Sequence, residues 1–249
     1  MNRLRKLGIV ASAYVLLLAS PAASTETMTD ANVITGLDLS HSVSLDEHWI
    51  VHEGLARALL SPEILRAIRA GHQGRIGFAV FGWHTTTLPL LPWMLIGSAD
   101  DAGLAAQRVK AALIEHIATE TTLRRVERRY GRPTDLSHAV SSASAMLLAA
   151  PFRSTRSVIN IIGNGPDNVN EDAHAARDVA LGLGFTINGV VLGRDPDVID
   201  YFWQNVAGGP GSFVVHVPAA DVMTEVFRRK FLQDIVIGFA DGSEPEPDR

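Results

Sequence analysis

Asn32-Val33-Ile34-Thr35-Gly36-Leu37-Asp38-Leu39-Ser40-His41-Ser42-Val43-Ser44-Leu45-Asp46-Glu47 is the stretch whose reading decides the fold. Residues 32–37 read as the first strand. Ser44 and Glu47 have capping-box spacing, the serine accepting from the backbone three residues on and the glutamate reaching back, so a helix is predicted over 45–60. Between strand and helix, Asp38, Ser40 and Ser42 alternate, which in extended chain turns their three oxygen-bearing side chains to one side. A strand, a polar loop and a capped helix in this order open an α/β domain built on a parallel sheet.

The rest of the chain repeats that grammar. Ser61-Pro62-Glu63 starts a second helical segment that Gly71 ends. Residues 75–81 and 85–91 read as strands two and three, joined through Gly82-Trp83 as a hairpin. An amphipathic helix follows over 100–118. Residues 119–133 are charged and lack apolar periodicity, so a long loop or frayed helix is expected there. Helices are predicted over 136–150, 171–183, 196–206 and 219–237, and strands four, five and six over 157–162, 186–192 and 213–217. Gly208-Gly209-Pro210-Gly211 precedes a strand rather than opening a helix, so it is a tight turn and not a phosphate loop. No internal repeat or linker divides residues 30–240, which read as one domain.

The ends read differently. Arg3, Arg5 and Lys6 precede an apolar stretch over 7–19, and Ala22-Ala23-Ser24 offers small residues for cleavage, so residues 1–24 read as a signal peptide cut after Ser24. That apolar stretch is shorter than a membrane-spanning helix requires; an uncleaved anchor is the alternative. Such export implies a periplasmic or secreted protein. Residues 241–249 are acidic and proline-containing and read as a disordered tail. Removing residues 1–24 deletes three basic residues and no acidic ones, taking the formal charge from −5 to −8. An acidic protein of this kind repels nucleic acid and anionic membrane unless it carries a local basic patch. The chain has no cysteine, which excludes disulfides, thiolate metal sites, cysteine nucleophiles and lipid attachment at a cysteine.

Asp38, Ser40 and Ser42 fall at the carboxyl end of the first strand, and Gly163-Asn164-Gly165 at that of the fourth. Ligands of open α/β sheets bind at such ends, where the strand order reverses. Thr134, in a loop leading into a helix, adds a third hydroxyl. One carboxylate with several hydroxyl oxygens suits a hard cation such as Mg²⁺.

On these residues the chain resembles von Willebrand factor type A domains and their metal-ion-dependent adhesion site. More narrowly, Gly36-Leu37-Asp38-Leu39-Ser40, Phe81-Gly82-Trp83, Leu91-Pro92-Trp93, Gly163-Asn164-Gly165-Pro166-Asp167-Asn168, Ile187-Asn188-Gly189 and Gly208-Gly209-Pro210-Gly211 resemble an exported bacterial family of unknown function built on that domain. The resemblance implies a doubly wound, mostly parallel six-stranded sheet ordered 3-2-1-4-5-6, with strand three antiparallel and helices on both faces. It further implies that Ser40, Ser42 and Thr134 hold Mg²⁺ (or Mn²⁺ or Ca²⁺) directly and that Asp38 and residue 164 act through water. An acidic group of a protein partner completes the coordination. Position 164 is Asn where that pattern has Asp, which removes a negative charge. Asp135 or Asp167 is a candidate to restore it. Position 41 is His where glycine is usual, placing an imidazole at the rim, and His138 joins it there.

Two other readings compete with a metal-dependent binding module. One is a structural or assembly domain of the same fold with a degenerate, metal-free site. The other is a secreted serine hydrolase, but the chain has no G-x-S-x-G elbow and pairs no histidine with Ser40 or Ser42. No enzymatic activity is therefore expected. His48 and His52 stand four apart on the first helix, at zinc-ligand spacing, but no third ligand is suggested, and an exposed helix face is expected for them. Arg124, Arg125, Arg128, Arg129 and Arg132 read either as a solvated segment or as a patch that steers an acidic partner. Trp83, Trp93 and Trp203 are expected to pack in the core and at its rim.

Overall fold

The computed structural model describes residues 27–40, 42–127, 133–169 and 172–240. The predicted signal peptide, the tail, His41, Glu171 and three of the arginines (Arg128, Arg129 and Arg132) lie outside the described residues.

Six strands make the main sheet: β2 (Asn32–Asp38), β3 (Ile76–Trp83), β4 (Thr87–Ile96), β6 (Ser157–Gly163), β7 (Thr186–Leu192) and β8 (Val214–Val217). Their order is β4-β3-β2-β6-β7-β8, and every pairing is parallel except β3 with β4. Chain order reverses between β2 and β6, so a crevice opens beyond the ends of those two strands. Every residue of β2, β3 and β7 is buried, as expected of strands covered on both faces. Outside this sheet β1 (Thr27–Thr29) pairs in parallel with β5 (Phe152–Ser154). This small sheet was not foreseen, because three-residue strands carry no measurable periodicity.

On one face α1 (Leu45–Leu59), α2 (Pro62–Ala70), α3 (Ala99–Glu127) and α7 (Met223–Ala240) pack over Val33, Phe78, Val158 and Val190. On the other, α4 (Leu136–Leu148), α5 (Ala173–Gly182) and α6 (Pro196–Asn205) cover Ile34, Phe81, Trp83, Ile159 and Val191. Alternate residues of one strand thus feed two separate cores. Among the described residues no helix is long and apolar enough to cross a membrane.

The capping box forms as predicted: Ser44 Oγ accepts from Glu47 N at 3.2 Å and Glu47 Oε2 accepts from Ser44 N at 2.7 Å. It fixes the phase of α1 and corrects one expectation. His48 and His52 do not face solvent; both are buried, on the same stripe as Val51, Leu55 and Leu59. The i, i+3, i+4, i+7 spacing of 48, 51, 52 and 55 puts them on the face that meets α3, where His52 Nδ1 lies 3.3 Å from Val109 O.

Residues 119–127 are likewise helix rather than loop, since α3 runs to Glu127. Leucine, arginine and glutamate propagate a helix without an apolar stripe. The consequence is positional. Strand β4 descends from Thr87 to Ile96, which pairs with Ile76 at the amino end of β3. From there α3 rises about 43 Å over its 29 residues and returns the chain to the carboxyl ends of the strands. Arg124 and Arg125 belong to its last turns.

One polar feature lies inside the first core. Lys230 Nζ and Asp234 Oδ2, one turn apart on α7, form an ion pair at 2.8 Å with both side chains fully buried. Asn160 Nδ2 donates to Asp234 Oδ2 at 3.1 Å and Asn188 Nδ2 to Asp234 Oδ1 at 2.9 Å. Asn188 Oδ1 accepts from Phe213 N at 3.1 Å. One carboxylate therefore ties α7 to β6, β7 and the start of β8. Burial lowers the pKa of Lys230, against the opposing pull of Asp234.

Candidate metal-binding site

The site grows from the carboxyl end of β2. Parallel pairing sets Asp38 beside Trp83 of β3. The Asp38 carboxylate is buried; Oδ1 accepts from Ser40 N at 2.7 Å, which bends the chain after the strand. Ser40 Oγ then lies 2.9 Å from Ser42 Oγ, and Ser42 Oγ donates to Asn164 Oδ1 at 2.7 Å. Asn164 Nδ2 donates back to Ser42 O at 2.9 Å. The tips of β2 and β6 are thus laced together across 122 residues of sequence.

Thr134 reaches the same loop from the other side. Its N donates to Asn168 Oδ1 at 2.8 Å and its O accepts from Asn168 N at 3.0 Å, so it is held four residues beyond Asn164 in the β6–α5 connection. The two supporting aspartates have tasks of their own. Asp135 caps α4 by accepting from His138 N at 2.8 Å. Asp167 Oδ2 accepts from Leu136 N at 2.8 Å and Oδ1 from Val169 N at 3.0 Å, so both of its oxygens serve the amino end of α4 and the loop before α5. That carboxylate meets backbone donors and the positive end of a helix, a sufficient structural reason for its presence. His138 Nε2 lies 3.4 Å from Ser142 Oγ on its own helix.

Electrostatics single out Asp38. Burial pushes its pKa up from 3.8 to about 6, while the nearby Ser40 hydroxyl and the backbone amides of Ser40 and Asn164 pull it partly back. Its Oδ2 has no hydrogen-bond partner. Gly163 borders that oxygen: a Cβ at position 163 would stand 3.1 Å from Asp38 Oδ2.

These oxygens fit a hard cation. An octahedral ion with ligands at about 2.1 Å separates adjacent oxygens by about 3.0 Å, the length of an octahedron edge. The Ser40–Ser42 hydroxyl separation of 2.9 Å is close to that. Ser42 can give its proton to Asn164 and still offer a lone pair. Among the described residues no group of three His, Cys, Asp or Glu could hold a metal, so a cation here rests on hydroxyls, one carboxylate and one amide.

Residues 28–238 match the family described as "Protein of unknown function (DUF1194)". The chain belongs to this family. Among curated proteins no match is found for this DUF1194 chain. Solved structures of similar fold include proximal thread matrix protein 1 from the mussel byssus, at 11% identity and a TM-score of 0.56, covering 85% of this chain and 49% of that one. A von Willebrand factor type A protein from Catenulispora acidiphila matches at 14% identity and a TM-score of 0.54, covering 84% and 43%. The conserved hypothetical protein BatB from Bacteroides thetaiotaomicron matches at 14% and 0.54, covering 85% of this chain and 100% of its own. The chain thus spans less than half the length of the first two. At these identities the likeness is one of fold, and that fold is the von Willebrand factor type A fold.

Sequence reasoning missed the buried Asn160, Asn188, Lys230 and Asp234. Their signal was available: an asparagine inside each of two otherwise apolar strands, and an i, i+4 charge pair on the buried stripe of α7 shared with Phe227 and Phe231.

Proposed function

We propose that this DUF1194 chain is a non-enzymatic binding module of the periplasm or cell exterior. In this reading Ser40, Ser42 and Thr134 hold a divalent cation of the Mg²⁺ type, and Asp38 and Asn164 support it through water. An acidic side chain of a protein partner completes the coordination. The observation that carries the reading is the run of oxygens Ser40 Oγ, Ser42 Oγ and Asn164 Oδ1, spaced at 2.9 and 2.7 Å at the sheet's carboxyl edge beside the unpartnered Oδ2 of Asp38. The cation would supply a Lewis-acid point for a partner carboxylate; the chain's own groups position the loop and contribute a single negative charge. Titration calorimetry with Mg²⁺ and Mn²⁺ tests this. A saturable signal that Ser40→Ala abolishes is the expected result, and silence from the unmodified protein removes the reading.

A second reading has its own observation. Asn164 makes two reciprocal hydrogen bonds with Ser42, one of them from an N–H that an aspartate does not possess. Such a staple keeps the loop in place without a metal, as a structural or assembly domain with a degenerate site would need. Silence in calorimetry together with loss of stability in Ser42→Ala selects it.

A further inference from the structure

Trp83 is fully buried, and its indole Nε1 has no hydrogen-bond partner. An unpaired buried N–H costs about 1–3 kcal/mol, so such groups call for an explanation. Opposite it in the β2–β3 register stands Asp38, which also carries a buried polar atom without a partner, Oδ2. One orphaned donor and one orphaned acceptor thus occupy adjacent positions on the same face of the sheet.

The glycines locate the edge of the ring. A Cβ at Gly36 would lie 3.1 Å from Trp83 Cδ1, and a Cβ at Gly163 would lie 3.3 Å from Trp83 Cζ2. Nε1 sits between those two carbons along the indole perimeter, so the N–H edge runs from Gly36 toward Gly163, past the strand position of Asp38. The same Gly163 Cβ would stand 3.1 Å from Asp38 Oδ2. Indole edge and carboxylate oxygen therefore both crowd the point where a side chain at position 163 would begin.

We infer that Trp83 is a positioning residue of the site: its indole N–H and Asp38 Oδ2 answer one another through one water and hold the carboxylate in a fixed orientation. The inference rests on the metal-binding reading for its consequence, but the contact itself does not. Partners that orient a metal-supporting carboxylate typically change metal affinity about 10–100-fold when removed. Phenylalanine keeps an aromatic ring at position 83 and deletes the donor.

The test uses the full mature chain and has two arms. In ¹⁵N–¹H spectra the Trp83 indole cross-peak, assigned by its loss in Trp83→Phe, should move in Asp38→Asn without any metal present. In calorimetry Trp83→Phe should bind Mn²⁺ roughly 10-fold more weakly than the unmodified protein. A Trp83 cross-peak that is indifferent to Asp38→Asn overturns the inference, as does unchanged Mn²⁺ affinity in a folded Trp83→Phe. If Trp83→Phe does not fold, the cross-peak is assigned by elimination from Trp49→Phe, Trp93→Phe and Trp203→Phe, and the Asp38→Asn arm decides alone. If the unmodified protein takes up no Mn²⁺, the metal reading falls, while the cross-peak still reports on the contact.

Discussion

Asn164→Asp separates the two roles open to residue 164. Without metal the substitution deletes the Nδ2 donor that reaches Ser42 O at 2.9 Å. A hydrogen bond of this kind contributes about 0.5–1.5 kcal/mol. In a chain of this size each kcal/mol moves Tm by about 2–4 °C, so in EDTA the variant should melt roughly 3 °C below the parent. With metal the sign reverses. A unit charge and a dication about 4 Å apart attract by about 2 kcal/mol at the dielectric of water, and by more where water is excluded. Two kcal/mol is about 30-fold in affinity. Differential scanning fluorimetry in EDTA and in saturating Mg²⁺, with Mn²⁺ calorimetry alongside, reads both effects. The expected pattern is a crossing: less stable than the parent without metal, more strongly stabilised with it. An Asn164→Asp variant that matches the parent in EDTA refutes the staple. One that gains no affinity for Mn²⁺ refutes the idea that charge limits the site.

Asp38 makes the metal-free protein sensitive to pH. Its folded pKa of about 6 lies above 3.8, so the folded state holds this proton more tightly and stability falls as pH rises through that window. At about 1.4 kcal/mol per pH unit, the full effect is about 3 kcal/mol. Asp38→Asn should therefore be more stable than the parent at pH 7.5 in EDTA, with the gap narrowing to about 1 kcal/mol by pH 4.5; equal denaturant midpoints at pH 7.5 would rule this out. Asp234→Ala leaves Lys230 buried without its partner and should cost about 3–5 kcal/mol, or about 10 °C in Tm. Lys230→Met combined with Asp234→Leu should cost less than that single change, because no unpaired charge remains; thermal melts of the three proteins check the order.

Much of this architecture was legible because burial writes itself into apolar runs. The strand at 186–192 was read to the residue, and the other strands of the main sheet to within a few residues except β4, which continues to Ile96. The alternation of Asp38, Ser40 and Ser42 at a strand tip pointed to the site loop, and the lacing of Ser42 to Asn164 follows from the adjacency of β2 and β6. What could not be read had specific causes. Whether His48 and His52 faced out or in depended on where α3 lies, and helical spacing of two histidines does not name the neighbour. Residues 119–127 carry no apolar stripe, so periodicity fell silent where propensity still held. The polar cluster around Asp234 joins positions 160, 188, 213 and 234, and no local pattern links them. Asp167 was weighed as a spare ligand; its oxygens accept from the amides of Leu136, at the start of α4, and Val169, two residues on in the same loop.

β4 closes one margin of the six-stranded sheet, with β3 as its single neighbour there. Two of its ten residues, Pro89 and Pro92, have no N–H to offer. A foreign strand laid along that margin would meet an interrupted row of donors, and such interruption is how sheet proteins avoid polymerising edge to edge. Growth into fibres by strand addition is therefore discouraged on that flank, and a protein that captures this domain from the β4 side must do so through its loops and helices rather than by lengthening the sheet.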